Sequence, residues 1–354
     1  VSTFYLTEQR SLVKKDGDCL VVHIPANKEA GTEKRKVRVP LMKIDQVVVY
    51  GDSTITSPAL LALLENGAEV CFLSYHGRFR GRLSPGFSKN SLIRIEQHRA
   101  HNDYGRTLDL AKRFVLGKLA NMRTLLLRSN RKLGDDRIKT VAASLKGVMD
   151  KAERVRGDAE VEVDPSDPQA GTPLGTLLGL EGAGTSLYFS VFHRLLKPDL
   201  GFKGRVKRPP TDPVNALLSY GYVLLMHNIS SAISLVGLDP YVGYLHSSQY
   251  GKPALALDLM EEFRPVIVDS VVLTLVNNRI VQADDFVEEF GAYRLKERGR
   301  RAFLTKFEER LNATIRHPVF KYKATYKRCL ELQVRLLAKA LTGEIPEYAP
   351  FVVR

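Results

Sequence analysis

A single change of hydrophobic period near residue 85 limits what this chain can fold into. Before it, short runs rich in β-branched and aromatic residues (Phe4 to Leu6, Cys19 to Ile24, Lys36 to Val39, Val47 to Tyr50 and Val70 to Leu73) alternate with polar turn signals at Lys15 to Asp18 and Asn27 to Glu33. Such residues suit a pleated, half-buried surface, so the spacing predicts a small sheet built from hairpins. One helix is expected within it. Ser57-Pro58 supplies its cap and first-turn proline, Leu60, Leu61, Leu63 and Leu64 its apolar positions, and Asn66-Gly67 its stop.

Beyond a basic join from Arg78 to Gly86, the period becomes about 3.5 residues. Helices are predicted over 91–127, 136–155, 171–197, 213–236, 254–280, 284–313 and 318–342. Two polar segments interrupt them: an acidic, proline-containing loop at 156–171 and a basic loop from Pro198 to Asp212. The expected architecture is α+β, with a small N-terminal β-sheet domain over 1–85 and a larger, mainly α-helical domain over 86–354.

Composition narrows the function classes. The chain has 354 residues, with 53 Lys and Arg against 39 Asp and Glu, a formal charge of +14. A field of that sign favours polyanions, because each phosphate met by Lys or Arg releases condensed counterions. Nucleic acid is the first partner to consider. Without an apolar run near the roughly 18 to 20 residues that a membrane span needs, no membrane association is expected. The start at Val1 lacks the basic-then-apolar layout of a secretory leader, so a cytoplasmic location is expected. Cys19, Cys71 and Cys329 are odd in number, far apart and without CxxC spacing, which argues for reduced thiols.

Chemistry on a phosphodiester is served by hard divalent ions held by carboxylates and imidazole. Two segments carry such groups. In the first, Glu181 lies in an apolar, small-residue helix whose period places Gly184, Thr185 and Tyr188 on the same face. A carboxylate near a helix start is also favourable without any ligand. In the second, His246 ends a turn-rich stretch, and a following helix carries Asp258 and Glu261 three residues apart, on one face and directed at His246. Acids among Leu255, Leu257, Leu259 and Met260 are costly unless a cation satisfies them. His193 and His227, within apolar helices, are read as packed, and His98 and His101 as solvated. Asp212-Pro213 reads as a cap and first-turn proline, with Asn215, Ser219 and Tyr222 on one helix face.

Three motifs in this order, Glu181-Gly182 with Tyr188-Phe189, Arg208 to Tyr222, and His246 to Pro265, resemble the CRISPR spacer-acquisition integrase family, the metal-dependent nucleases of the adaptation module. The resemblance implies an integrase that inserts short foreign DNA as new spacers by 3′-hydroxyl transesterification, with Mg²⁺ or Mn²⁺ as its only cofactor. It implies Glu181, His246 and Glu261 as catalytic metal ligands, with Asp258, Tyr188 and Asn215 in supporting roles. It further implies a homodimer formed through the β domain and a small ferredoxin-like CRISPR adaptation protein as partner. Arg78, Arg80, Arg82, Lys203, Arg205, Lys207 and Arg208, with Arg298, Arg300 and Arg301, are candidates to track the DNA backbone. Two other readings fit the same residues: a general metal nuclease acting on branched or damaged DNA in repair, and a basic scaffold that binds nucleic acid without catalysis.

Overall fold

The computed structural model describes residues 2–26, 33–75, 77–86, 90–157, 171–246 and 249–353. The turn stretch expected at 27–33 and the acidic loop expected at 156–171 fall mostly outside them. The chain divides into two compact units, Val1–Phe87 and Ser88–Arg354.

The first unit is β-rich, as its sequence period predicts. Strands β1 (Ser2–Leu6), β2 (Ser11–Asp16), β3 (Cys19–Ile24), β4 (Arg35–Pro40), β5 (Ile44–Tyr50), β6 (Ser53–Ile55), β7 (Glu69–Leu73) and β8 (Phe79–Leu83) form two four-stranded sheets, ordered β1-β5-β7-β8 and β4-β3-β2-β6. Phe4 lies opposite Val47 and Val47 opposite Val70, so one apolar row crosses three strands. Those three strands are parallel, which corrects the expectation of hairpins alone. Helix α1 (Ser57–Glu65) is the reason: it lies between β5 and β7 and provides the crossover a parallel pair requires. Its Ala59, Ala62 and Leu63 join Leu6, Val22 and Val47 in the core.

The second unit is mainly helical, with α2 (Ser91–Asn102), α3 (Tyr104–Leu133), α4 (Asp136–Arg154), α5 (Pro173–Phe192), α6 (Pro213–Val236), α7 (Ala254–Phe263), α8 (Ser270–Asn277), α9 (Glu297–Asn312) and α10 (Tyr326–Leu341). The expected helix 91–127 is broken at Asp103, whose side chain accepts from the Arg106 N–H and caps α3. Residues 284–296 depart further from expectation, because β9 (Phe286–Glu289) and β10 (Ala292–Leu295) form a hairpin there. Phe290 and Gly291, both at positive φ, make the tight turn that a helix cannot accommodate. A second hairpin, β11 (Thr314–Arg316) with β12 (Lys323–Thr325), likewise shortens the helix expected from 318.

Helix α7 sits between α3 and α6 and runs directly into a wide π turn, Arg264–Asp269, where Pro265 offers no N–H to an α-helical bond. The long α6 alone among the described helices is apolar enough to cross a membrane by length and composition. About two thirds of that stretch (67%) is buried within the domain.

Candidate metal centre

Helix α7 positions the site through Asp258, a fully buried carboxylate. Its Oδ2 accepts the backbone N–H groups of Tyr244 (2.6 Å) and Leu245 (3.0 Å), and its Oδ1 accepts that of His246 (2.9 Å). The same Oδ1 lies 2.7 Å from His246 Nδ1. Since an ionised carboxylate only accepts, Nδ1 carries the proton and the lone pair is left on Nε2. Gly243 allows this approach, because a Cβ there would stand 2.8 Å from Asp258 Oδ2. His101 helps from α3's neighbour α2: its Nδ1 lies 2.7 Å from the Gly243 carbonyl, so it fastens the loop instead of resting in solvent as expected.

His246 Nε2 faces Glu261 Oε1 at 4.0 Å, one turn along α7 from Asp258. Glu261 is almost wholly buried and Arg264 Nη2 lies 3.2 Å from its Oε1. Burial alone would raise this carboxyl, but the charges of Arg264 and Lys118 outweigh it and bring the group down to about 2. Glu181, on α5, reaches the same place and accepts a hydrogen bond from Thr185 one turn on (2.9 Å). Between the two glutamates stands Lys118 of α3, in ion-pair contact with Glu181 and 2.6 Å from Glu261 Oε2. Lys207, an exposed residue of the basic loop, feels this cluster: partial desolvation by its neighbours, Arg264 and Lys118 lower its ammonium, while Glu181 and Glu261 hold it up.

A second buried group lies beneath. Asp269 accepts from Tyr222 Oη (2.6 Å) and Tyr188 Oη (2.8 Å), and burial pushes its carboxyl up to about 6 against those bonds and the charges of Arg264 and Arg205. Arg264 lies over the Tyr222 ring, 4.7 Å from its centroid. Arg205 turns inward, donating to Asn215 Oδ1 (2.8 Å) and Ser219 Oγ (3.0 Å). Asp212 caps α6 by accepting the Asn215 backbone N–H (2.8 Å), and the Asn215 side-chain amide donates to Asp212 Oδ2 (2.5 Å) and to the Gly204 carbonyl (2.8 Å), so its place is in the scaffold of the basic loop. Next to Glu261, Glu262 points the other way. It accepts from Tyr348 Oη (2.8 Å), Gln333 Nε2 (3.2 Å) and the Phe351 N–H (2.7 Å), and burial raises it to about 8.

The structure thus brings Glu181, His246 and Glu261 together without closing them on one point: among the described residues, no three acidic, imidazole or thiol groups form a ligand set. Their chemistry nonetheless fits a hard divalent ion. Two carboxylates and an imidazole nitrogen are the right donors, and a carboxylate on the far ring nitrogen is the usual orienting partner of a metal-bound histidine. Glu261 Oε2 is buried and meets a cation already, the Lys118 ammonium at 2.6 Å, in a contact that lacks good hydrogen-bond geometry.

The basic candidates divide. Arg78, Arg80, Lys203, Lys207 and Arg208 are exposed, and Arg82 pairs with Glu69 at 3.3 Å. Arg300 is buried, which corrects its reading as a backbone contact, and Arg298 and Arg301 are held by Asp285 and Glu297. His193 is exposed, not packed. Lys118, Arg264 and Asp269 escaped notice in the sequence. The available signal was a lysine on the apolar stripe Ala111, Val115, Met122 of α3, and a lone acid in the run Pro265 to Val272.

The model of the family CRISPR associated protein Cas1 matches residues 4–309. The chain belongs to the Cas1 family. It is 39% identical to a CRISPR-associated endonuclease Cas1 of Thermus thermophilus, over 100% of this chain and 98% of that protein. It is equally similar, at 39%, to a Cas4 exonuclease/Cas1 endonuclease fusion of Geobacter sulfurreducens, covering 99% of this chain and spanning 60% of the fusion. Among solved structures, a Cas1 protein from Thermotoga maritima superimposes with a TM-score of 0.76 at 23% identity, covering both chains fully. A casposase bound to its integration product does so with a TM-score of 0.82 at 24% identity, over 98% of this chain and 92% of that one. These two likenesses show that the β-then-α fold is shared along the whole chain.

Proposed function

We propose that this Cas1-family chain is a divalent-metal-dependent DNA endonuclease and integrase that inserts short foreign DNA segments as new spacers into a CRISPR array. The observation that carries this reading is the meeting of Glu181, His246 and Glu261, with Asp258 behind the imidazole, beside a set of cations. Mg²⁺ or Mn²⁺ bound by those three residues would neutralise charge on the nonbridging phosphate oxygens and ease deprotonation of the attacking hydroxyl.

The chain's own groups do the remaining work. Asp258 fixes the imidazole tautomer and keeps Nε2 directed at Glu261. Arg264 and Lys207 lend the site a positive field that draws in the phosphodiester. Exposed Arg78, Arg80, Lys203 and Arg208 hold the duplex through its backbone, with little regard to sequence. In strand transfer the 3′ oxygen of the incoming DNA gives up its proton and bonds to phosphorus as the P–O bond flanking a repeat breaks, and the displaced 3′ oxygen takes up a proton to leave as a hydroxyl, so one phosphodiester replaces another and no energy source is consumed. The casposase that shares the fold supports placing joining beside cleavage, as an analogy of architecture. Homodimerisation through the N-terminal β unit, a small ferredoxin-like adaptation partner and a cytoplasmic location complete the proposal.

The test is transfer of a short labelled duplex into repeat-containing supercoiled DNA, with the small partner present, in Mn²⁺ or EDTA. Joined product that requires both metal and His246 is the expected result. Cleavage without joining would instead assign the site to a general nuclease acting on branched or damaged DNA in repair, and indifference to His246→Ala would remove the site.

A further inference from the structure

The cation that satisfies Glu181 and Glu261 in this structure is part of the protein. Lys118 is 3% exposed, its ammonium is in ion-pair contact with both carboxylates, and Arg264 supplies a second positive charge to Glu261. Two negative charges are therefore met by two positive ones before any metal arrives. Without Lys118 the two acids would face each other with no shared counter-charge, and like charges at close range in a poorly solvated place repel.

We propose that Lys118 is a resident counter-cation, holding Glu181 and Glu261 ready while the metal is absent and opposing the metal when it binds, so that a divalent ion is held tightly only once a DNA phosphate adds negative charge to the same place. This rests on the metal-site reading given above. Three observations support it. Lysine carries its charge on a flexible four-carbon stem, so the ammonium can yield its position where a bidentate arginine would resist. The contact with Glu261 Oε2 leaves that oxygen without a well-formed hydrogen bond, so it is held by charge more than by geometry. With the carboxylates already neutralised, an added dication leaves the centre with a net double positive charge, which phosphate oxygens offset. Metal and DNA then strengthen each other's binding by the same factor, as linkage requires.

The experiment is Mn²⁺ binding followed through the EPR signal of the free ion, with and without a short blunt DNA duplex, on the full chain and on Lys118→Met, Lys118→Gln and His246→Ala. Removing one unit charge at ion-pair range is expected to tighten Mn²⁺ binding without DNA by roughly tenfold to a hundredfold. The enhancement by DNA should shrink to match. Thermal unfolding supplies the second readout: both Lys118 variants should melt earlier than the parent in EDTA and recover most of the difference in Mn²⁺. Unchanged or weaker Mn²⁺ affinity overturns the proposal, as does an equal loss of melting temperature with and without metal. So does failure of both variants to fold even in Mn²⁺, since the ammonium would then be a pillar that metal cannot replace. His246→Ala separates the two levels of the reading. If it binds Mn²⁺ as the parent does, the metal site itself is wrong. If it loses Mn²⁺ while the Lys118 variants behave as the parent does, only the role of Lys118 falls.

Discussion

Asp258 holds His246 at two points at once, its Oδ1 accepting the backbone N–H at 2.9 Å and facing ring Nδ1 at 2.7 Å. One buried carboxylate thus sets both the path of the loop and the orientation of the ring. Asp258→Asn keeps the shape but offers an amide nitrogen to donors, so the ring loses its fixed tautomer. Mn²⁺ affinity and strand-transfer rate should both fall by roughly tenfold to a hundredfold, the usual cost of losing such a partner. Isothermal titration and the transfer assay check this, and parent-like values in both would rule it out.

Glu261 and Glu262 are neighbours in sequence with opposite environments, one brought down to about 2 by cations and the other raised to about 8 by burial. Glu261→Gln leaves the buried Lys118 and Arg264 charges short of a partner, so it should lower the melting temperature in EDTA and abolish both Mn²⁺ binding and metal-dependent cleavage. Glu262→Ala strands the donors Tyr348, Gln333 and the Phe351 amide, at about 1 to 3 kcal/mol each, and should lower stability by several kcal/mol while the residual folded enzyme still binds Mn²⁺. Denaturant unfolding combined with metal titration distinguishes the two, and the reverse pattern would contradict the assignment.

Asp269 makes stability depend on pH with a defined sign. Burial raises its folded pKa to about 6 from an ordinary value of 3.8. The folded state therefore binds the proton more tightly, so the associated stability is full below about pH 4 and is lost as pH rises through about 6. A shift of that size corresponds to about 3 kcal/mol. Urea unfolding between pH 4 and 7 should show the parent losing stability relative to Asp269→Asn as pH rises. A difference that stays constant over the range would argue against a raised Asp269.

The arginines should sort by exposure. For Arg78→Ala combined with Arg80→Ala, the slope of log affinity against log salt for duplex DNA should flatten by roughly 2, because each phosphate contact releases about one counterion. Arg300→Ala should leave the slope alone and destabilise the fold, since that side chain is buried. A flattened slope for Arg300→Ala, or an unaltered one for the pair, would reverse the division.

Much of the site could be read in the chain itself because it is local. Asp258 and Glu261 share a face of α7 by virtue of helical spacing alone, and Thr185 meets Glu181 for the same reason. The β-then-α order follows from the period of apolar residues, which short-range burial enforces in any fold. The hairpin at 286–295 was less legible, since its strands are four residues long and only the paired positive-φ residues at its turn oppose a helix.

What the sequence determined by itself is therefore the set of elements and the chemical types on each face, since these depend on neighbours within a turn or two. What only the tertiary structure decided is who stands beside whom across 47 or more positions: Lys118 against Glu181, Tyr188 and Tyr222 on Asp269, Glu262 on Phe351. Those partners are chosen by the packing of α3, α5, α6 and α7. A buried charge takes whatever counter-charge that packing delivers, and separation along the chain carries no record of it.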